Sequence, residues 1–305
     1  MTGWGTALPD KVVTNDDLAQ YLDTSDEWIR ERSGIRERRI GGSTAGLAVE
    51  AGAAALENAG LTPDDIDLLV VCTTTPDSQI PATASAVQDR LGLRCGAFDL
   101  NAACSGFVYG LVATDGFVKT GANRVLLIGS ETLSRFTDWD DRSTAVLFAD
   151  GAGAVVVEAT DAPDRLLGWH LASDGNLTHL LYCEIGDKIH MEGKEVFRQA
   201  VRVMVRAAEV ALEKAGVAAE DVALVVPHQA NIRIIESAMK KLAIPDDRAV
   251  SVLHRTGNTS SASIPLALVD AIDSGRLHDD DLVLFVGFGA GMTSASALWR
   301  WGGSR

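Results

Sequence analysis

The sequence lacks any hydrophobic run long enough to cross a membrane. Asp, Glu, Lys or Arg interrupts every apolar stretch before it reaches the ~20 residues of a transmembrane helix. The opening segment, MTGWGTALPD, contains neither the basic region nor the apolar region of a secretory signal peptide. These absences argue against a membrane-spanning protein, and we expect a cytoplasmic location.

Cysteine and basic residues are also scarce. The four cysteines, at positions 72, 95, 104 and 183, show no CxxC spacing, so the sequence indicates neither a zinc site nor a disulfide framework. The 27 Lys and Arg against 42 Asp and Glu give a net charge of −15. Because nucleic-acid affinity rests on basic residues that neutralise phosphates, this charge argues against a nucleic-acid partner. The glycine-rich segments ADGAGAVVV and GFGAGMT fit neither the dinucleotide-binding nor the P-loop pattern, and we expect no metal or nucleotide cofactor.

What the chain does contain is a long internal repeat. ALENAGLTPDDIDLLV and ALEKAGVAAEDVALVV lie 156 residues apart, as the paired glycines Gly60 and Gly216 show. In each copy a helix rich in Ala and Leu ends at that glycine, and a continuous apolar run follows that is typical of a strand covered on both faces. RVLLIGS and LVLFVGF form a second matching pair. A repeat of this length predicts two fused α/β halves, residues 1–160 and 161–305.

Cys104 has the setting best suited to chemistry. The pattern predicts a short strand over residues 96–100 and a helix over residues 107–119, so NAACSG turns from strand into helix at the thiol. A helix N-terminus offers positive potential that favours thiolate, and it offers backbone amides for an oxyanion. A small buried thiol is the alternative, and it is our interpretation of the other three cysteines.

His228 directly follows the repeated strand of the second half, in VVPHQANIRII. The repeat pairs it with Cys72, so the duplicated scaffold itself does not require a histidine at this position. Ligands of open α/β sheets bind at the C-terminal ends of parallel strands, where this residue lies. Asn231 could simply cap the next helix.

Asn258 falls in the segment HRTGNTSSASIPLAL, after a predicted strand over residues 249–253. Gly and Asn mark a tight turn there, and Ser260 or Ser261 could cap the following helix. Because this turn also follows a strand of the second half, we expect a thiol, an imidazole and an amide to converge at one end of the fused sheets. Such groups can serve as nucleophile, base or donor, and polariser.

NAACSGF, PHQANIRI, HRTGNTSSAS and GFGAGMT, in this order, resemble the β-ketoacyl-acyl-carrier-protein synthase III family of condensing enzymes. TSDEWIRERSGIRERR extends the resemblance to residues 24–39, so that it covers nearly the whole chain. It implies an internally duplicated thiolase fold with five layers, α/β/α/β/α. It also implies an acyltransferase, a homodimer, that condenses an acyl-CoA primer with malonyl-acyl-carrier-protein and initiates fatty-acid synthesis without a cofactor.

The resemblance further implies roles for single residues. Cys104 would attack the acyl-CoA thioester, and His228 and Asn258 would donate hydrogen bonds to the thioester oxygen of the malonyl group. Trp28 and Arg142 would sandwich the CoA adenine. The full set is Cys104, His228 and Asn258 for catalysis; the backbone amides of Cys104 and Ala290 for the oxyanion; Trp28, Arg32, Arg142, Asn231 and Arg233 for CoA; Arg198, Arg233, Lys240 and Lys241 for docking of the carrier protein; and Ile80 and Phe288 for the acyl pocket.

Several of these residues have a structural alternative. Trp28 could belong to a buried helix face, and Arg142 could pair with Asp140 or Asp141. The arginines at 198, 202 and 206 recur at helical spacing and could form a solvated helix face. At the level of function, the alternatives are a starter-unit ketosynthase or acyltransferase of polyketide or secondary-metabolite assembly, and a non-catalytic partner subunit. The intact set of thiol, imidazole and amide argues against the last of these.

Overall fold

A computed structural model describes residues 1–161 and 165–302. Its strands are β1 (Gly3–Ala7), β2 (Val12–Thr14), β3 (Glu37–Arg39), β4 (Leu68–Cys72), β5 (Gly96–Leu100), β6 (Arg124–Thr132), β7 (Asp150–Glu158), β8 (Leu166–Ala172), β9 (Leu181–Tyr182), β10 (His190–Met191), β11 (Leu224–Pro227), β12 (Leu282–Gly289) and β13 (Thr293–Arg300). Its helices are α1 (Asn15–Ala19), α2 (Asp26–Ser33), α3 (Thr44–Ala59), α4 (Thr83–Arg90), α5 (Gly106–Lys119), α6 (Arg142–Ala145), α7 (Gly193–Ala215), α8 (Ile232–Leu242), α9 (Leu253–Thr256) and α10 (Ser263–Asp273).

Two sheets with matching strand order form the frame of the molecule. The first has the order β1-β7-β6-β4-β5, and the second has the order β8-β13-β12-β11. β4 runs parallel to β6 with Leu69 opposite Leu126, and β11 runs parallel to β12 with Val225 opposite Leu284. These two pairs occupy equivalent positions of the repeat. The sequence repeat is therefore also a repeat of strand pairing.

Helices cover both faces of both sheets. α3 packs on the outer face of the first sheet, and α7 packs on the outer face of the second. α5 and α10 lie between the sheets, in an apolar core that includes Val70 of β4 and Phe285 of β12. Successive strand residues enter different cores, because Leu69 packs toward the outer helices while Val70 packs inward. This double coverage explains the unbroken apolar runs, and the predicted five-layer arrangement is confirmed.

The glycines of the repeat end their helices as predicted. Gly60 follows α3 with φ +67°, and Gly216 follows α7 with φ +65°. The left-handed backbone at each position allows the glycine N–H to bond a carbonyl of the last helical turn. The boundary at residues 160 and 161 lies between β7 and β8, and the division into domains stays a prediction.

The predicted strand over residues 249–253 is wrong. Only one parallel bridge forms, between Ala249 and Val225, and the chain then enters α9. The side chain of Gln229 takes the remaining strand bonds, because its amide donates to the Val250 carbonyl and accepts from the Val252 N–H. None of the helices in the described part of the chain is long and apolar enough to span a membrane.

Candidate active site

Two cavities meet at the side chain of Cys104. The first, of about 620 Å³, is mostly apolar and is walled by residues that include Leu133 and Phe148. The second, of about 600 Å³, contains His228 and Asn258 beside the same thiol. The structure thus brings together the three residues that the sequence selected, and it gives the thiol access to two mostly apolar cavities.

The chain presents Cys104 immediately before α5. β5 and α5 begin and end within one residue of their predicted bounds, and a 3-10 turn at Ala103–Ser105 joins them. Ala103 adopts φ +50°, a left-handed conformation that is costly for a residue with a side chain. The loop after β12 approaches from the second half, and a Cβ on Gly289 would lie 2.6 Å from the Cys104 backbone nitrogen. A glycine is therefore required where the two halves close around the nucleophile.

Burial makes the Cys104 thiol a weaker acid than the sequence predicts. Desolvation raises the pKa of this thiol to about 12, and the charge of Glu131 raises it further. A hydrogen bond with Ser260 and the thiol's own backbone N–H act in the opposite direction. At neutral pH the thiol keeps its proton, so the helix N-terminus alone does not produce thiolate.

His228 is 2% exposed at the end of β11, where its backbone N–H bonds the Val286 carbonyl. Its Nδ1 lies 2.7 Å from the Ser263 hydroxyl oxygen, which also accepts the Gln229 N–H. When the Ser263 hydroxyl donates its proton to Nδ1, the imidazole hydrogen is on Nε2, and we assign this tautomer. Desolvation lowers the pKa of His228 to about 3. The ring is therefore neutral, and its Nε2–H is a hydrogen-bond donor.

The buried imidazole makes the protein less stable in acid. Below pH 6.5, the ordinary pKa, unfolded His228 binds a proton that the folded protein excludes, so stability is lost as the pH falls from 6.5 toward 3. We expect this residue to lower the free energy of unfolding by about 1.4 kcal/mol per pH unit in that window. Urea unfolding of the wild type and of His228→Gln at pH 4–7 measures the difference in slope. Parallel curves for the two proteins would contradict the expectation.

Asn258 is fixed with its amide N–H groups available. Its backbone N–H bonds the Leu147 carbonyl at 2.9 Å, and its carbonyl accepts the Ala149 N–H at 2.9 Å. The side-chain Oδ1 accepts the Ser260 N–H at 2.9 Å. Since the oxygen is occupied by the backbone, Nδ2 is the side-chain atom left to donate to a ligand.

The second cavity is also lined by all five residues assigned to CoA. Arg142 stacks over the Trp28 ring, 4.7 Å from its centroid, and Arg32 lies 5.5 Å from the same centroid. Arg142 pairs with Asp23 rather than with either of the two predicted aspartates. Asn231 caps α8 through Oδ1, as its structural alternative predicts, and its Nδ2 donates to the Arg32 carbonyl. Its proposed contact with CoA stays a prediction.

The basic residues assigned to carrier docking lie on two helices that pack together. Arg198 is on α7, where it pairs with Glu195, and Arg233 on α8 stacks over Phe197 of α7. Lys240 and Lys241 are exposed in the last turn of α8. Because Arg233 also lines the second cavity, this basic surface adjoins that cavity.

The remaining predicted positions differ in their setting. Phe288 lies in the second cavity, with its ring centroid 5.4 Å from that of His228, and Ala290 lines the first cavity. Ile80 is 84% exposed at the surface of its own chain.

Cys183 is exposed, so its interpretation as a buried thiol is wrong, because the short segment after β9 leaves it at the surface. Cys72 is buried as predicted.

Sequence reasoning missed a buried polar cluster behind the nucleophile. Ser260 and Ser261 do not cap α10, whose first turn lacks a side-chain cap; both hydroxyls instead donate to the carboxylate of Glu131. The sequence did contain a signal for this cluster. In RVLLIGSET, the β6 segment, Glu131 is the single charged residue after the initial arginine. A charged residue in a doubly covered strand requires an explanation.

Comparison with known proteins gives a consistent result. The model of the family 3-Oxoacyl-[acyl-carrier-protein (ACP)] synthase III matches residues 98–175, and the model of its C-terminal part matches residues 212–301. Beta-ketoacyl-[acyl-carrier-protein] synthase III of Listeria monocytogenes is 50% identical over 305 residues, with 98% of each chain covered. The crystal structure of 3-oxoacyl-[acyl-carrier-protein] synthase III from Aquifex aeolicus has a TM-score of 0.97 at 45% identity, covering 98% of this chain and 99% of that one. The priming β-ketosynthase from the R1128 polyketide pathway is less similar, with a TM-score of 0.92 at 38% identity and coverage of 98% and 95%.

The duplicated five-layer fold, with a cysteine, a histidine and an asparagine between its halves, defines a condensing enzyme of the thiolase-fold class. Its activity is acyl transfer with carbon–carbon bond formation. The chain belongs to the β-ketoacyl-acyl-carrier-protein synthase III family, which performs the initiating condensation of fatty-acid synthesis. The identity of 50% to the Listeria enzyme exceeds the 38% to the polyketide enzyme, and this favours fatty-acid synthesis over the alternative pathway.

Proposed function

We propose that this enzyme transfers an acyl group from acyl-CoA to Cys104 and condenses it with malonyl-acyl-carrier-protein. The observation that carries the proposal is the meeting of two cavities at one thiol, beside two fixed hydrogen-bond donors. The second cavity accommodates the pantetheine arm of CoA, and later that of the carrier protein, because the five residues assigned to CoA line it. The first cavity is then left for the acyl chain.

His228 and Asn258 act as donors in this proposal. Loss of carbon dioxide from the malonyl group creates negative charge on the thioester oxygen, and two aligned donors stabilise that charge. A neutral imidazole with hydrogen on Nε2 and an amide held through Oδ1 both present N–H groups. The enolate then attacks the acyl carbon on Cys104, where the backbone amides of Cys104 and Ala290 bind the oxyanion.

The remaining assignments follow the same scheme. The reaction uses thioester substrates alone and needs no metal or further cofactor. We assign the basic surface formed by Arg198, Arg233, Lys240 and Lys241 to the acidic carrier protein, because it adjoins the second cavity. We also propose a cytoplasmic homodimer, in which the exposed Ile80 of one subunit contributes to the acyl pocket of the other.

Intact-protein mass spectrometry tests the function directly. The enzyme is exposed in turn to a panel of straight and branched acyl-CoAs, and the adduct is located by peptide mapping. We expect a single acyl adduct, on Cys104. Addition of malonyl-acyl-carrier-protein should then release carbon dioxide and regenerate the free thiol. Absence of an adduct with every primer would reject the proposal, and acyl transfer without carbon dioxide release would indicate a simple acyltransferase.

Trp28 allows a separate test of the CoA assignment. Its ring stacks on Arg142, and an adenine that enters between them gains contact with both planar groups. We expect Trp28→Ala to raise the KM for acyl-CoA about tenfold, while kcat at saturation changes less than about twofold, because the ring contacts a part of the substrate that does not react. Trp28→Phe should give an intermediate KM. An unchanged KM in Trp28→Ala would remove this residue from the CoA site.

A further inference from the structure

Arg38 is a fully buried arginine that the reaction described above does not use. It lies in β3 at 0% exposure. Its guanidinium donates to three neutral oxygens, at 2.8 Å to Asn15 Oδ1, 2.9 Å to the Val146 carbonyl and 3.1 Å to the Val13 carbonyl. Among the described residues, none accepts a hydrogen bond from its Nε. A cation that is buried with neutral partners is costly, and desolvation lowers the pKa of Arg38 to about 10.

The bond to Val146 connects Arg38 to the helix α6. Val146 is the residue that ends this helix, which has only 4 residues and carries Arg142. So short a helix is not stable through its own hydrogen bonds and depends on contacts with other segments. Val146 also belongs to a buried apolar cluster that includes Ile29 of α2. The guanidinium of Arg38 thus fixes the end of α6 on the side where α6 and α2 share a core.

Asn15 connects Arg38 to the helix α2. While its Oδ1 accepts from Arg38, its Nδ2 donates to Asp26 Oδ1 at 2.9 Å and to the Ile35 carbonyl at 2.8 Å. Asp26 is the first residue of α2, and Ile35 lies just beyond its end. The two bonds therefore fix both ends of the helix that carries Trp28. Asn15 is buried, and each atom of its amide has a partner of the correct kind.

α2 and α6 provide the two planar groups assigned to the CoA adenine. Trp28 of α2 and Arg142 of α6 stack in the second cavity, with the guanidinium 4.7 Å from the ring centroid. An adenine enters between them only when the guanidinium moves away by the thickness of one ring. The backbones of the two helices must therefore stand at a distance that one side-chain movement can adjust. Arg38 and Asn15 form a chain of buried hydrogen bonds between those backbones.

We propose that Arg38 and Asn15 are positioning residues that fix α2 relative to α6 and thereby set the gap between Trp28 and Arg142 for the adenine of CoA. This inference rests on the proposed function, in which these two groups bind the adenine. Neither Arg38 nor Asn15 lines the second cavity, so both act only through the helices. Their contribution is to the affinity for the nucleotide part of the substrate, which does not react.

The preference for acyl-CoA over the acyl thioester of pantetheine tests the proposal. Both substrates present the same thioester to Cys104, but only acyl-CoA carries an adenine. The kcat/KM for acylation is measured with each substrate, and the preference is the ratio of the two values. A change that merely loosens the site around the thiol lowers both values and leaves their ratio unchanged. The ratio therefore reports on the adenine alone.

Asn15→Asp is the first variant. It keeps the oxygen that accepts from Arg38, so the buried cation does not lose a partner. It replaces the Nδ2 donor by an oxygen that faces the carboxylate of Asp26 and the carbonyl of Ile35. We expect the preference to fall about tenfold through a higher KM for acyl-CoA, while the kcat/KM for the pantetheine thioester changes less than about twofold. Asn15→Asp/Asp26→Asn exchanges donor and acceptor across the pair and should recover about threefold of the loss.

A double-mutant cycle separates positioning from general loosening. Arg38→Met in the wild-type background should lower the preference about tenfold, as Trp28→Ala does. In the Trp28→Ala background the same change should lower it by less than about twofold further, because without the ring there is no gap to set. If Arg38→Met fails to fold, Asn15→Asp replaces it in the cycle with the same expectation.

Arg124→Met is the matched control for the loss of an arginine. Arg124 lies at the start of β6, pairs with Glu158 and does not line the second cavity. Its replacement should lower the free energy of unfolding while leaving the preference for acyl-CoA unchanged. A preference that falls in Arg124→Met as far as in Arg38→Met would show that any destabilisation weakens the adenine site, and it would overturn the proposal.

Two further results would also overturn it. One is a preference that stays at the wild-type value in both Asn15→Asp and Arg38→Met. The other is a full tenfold loss added by Arg38→Met in the Trp28→Ala background, which would show that the two residues act independently. Failure of the CoA assignment looks different, because Trp28→Ala itself would then keep the wild-type preference. Failure of the catalytic assignment is judged separately, by the absence of an acyl adduct on Cys104.

Discussion

Replacement of Cys104 by serine is expected to lower the rate of acyl transfer from acyl-CoA by about 10⁴-fold or more. The hydroxyl fits the space of the thiol, so the cavities and the turn before α5 should persist. A serine oxygen is far harder to deprotonate than a thiol, and the neutral His228 is already engaged with Ser263. Single-turnover mass spectrometry with the primer that labels the wild type measures the loss.

Cys183→Ser is the matched control for this loss. Its thiol is exposed beside the first cavity, where an acyl-CoA could also encounter it. We expect this variant to acylate at the wild-type rate. If Cys183→Ser removes the adduct and Cys104→Ser keeps it, the nucleophile has been misassigned, and the chemistry belongs to the surface thiol.

Local patterns were sufficient to predict the frame of the protein. The apolar runs of β4 and β11 lack alternation because both faces of each strand are covered, and the sequence shows this directly. Gly60 and Gly216 end α3 and α7 because a left-handed residue is needed at those positions, which is a local requirement. Cys104 follows β5 and His228 follows β11, so topology brings these two residues near one another, whereas Asn258 follows α9 and not the strand that the sequence predicted.

Features that depend on contacts between distant segments could not be predicted. Ser260 and Ser261 look like helix caps in sequence, yet their partner Glu131 lies 129 and 130 residues away and reaches them only after the two halves pack together. The Gln229 side chain forms hydrogen bonds with the backbone of Val250 and Val252 that a neighbouring strand would otherwise form. The hydrophobic periodicity of the sequence does not predict such a contact. The acidity of Cys104 was misjudged for the same reason, because desolvation is a property of the assembled site.

Asn258→Asp is expected to lower the rate of decarboxylative condensation by about 10³-fold while the acylation of Cys104 persists. The substitution keeps the shape of the side chain, and the Oδ1 atom can still accept the Ser260 N–H. The atom that faces the ligand changes from a donor N–H to an oxygen with negative charge. It would then repel the enolate that it is proposed to stabilise, so the loss should exceed that for simple removal of a donor.

The separation of the two half-reactions decides whether Asn258 has this role. Acylation is followed by intact mass with acyl-CoA alone, and condensation by carbon dioxide release after malonyl-acyl-carrier-protein is added. Asn258→Ala serves as the comparison, because it removes the donor without adding charge and should lose about 10²-fold. Its side chain also no longer holds the Ser260 N–H, so any loss in acylation by Asn258→Ala measures how far the turn depends on that bond. Equal losses in both half-reactions for Asn258→Asp would show that this residue maintains the site as a whole and does not act on the enolate.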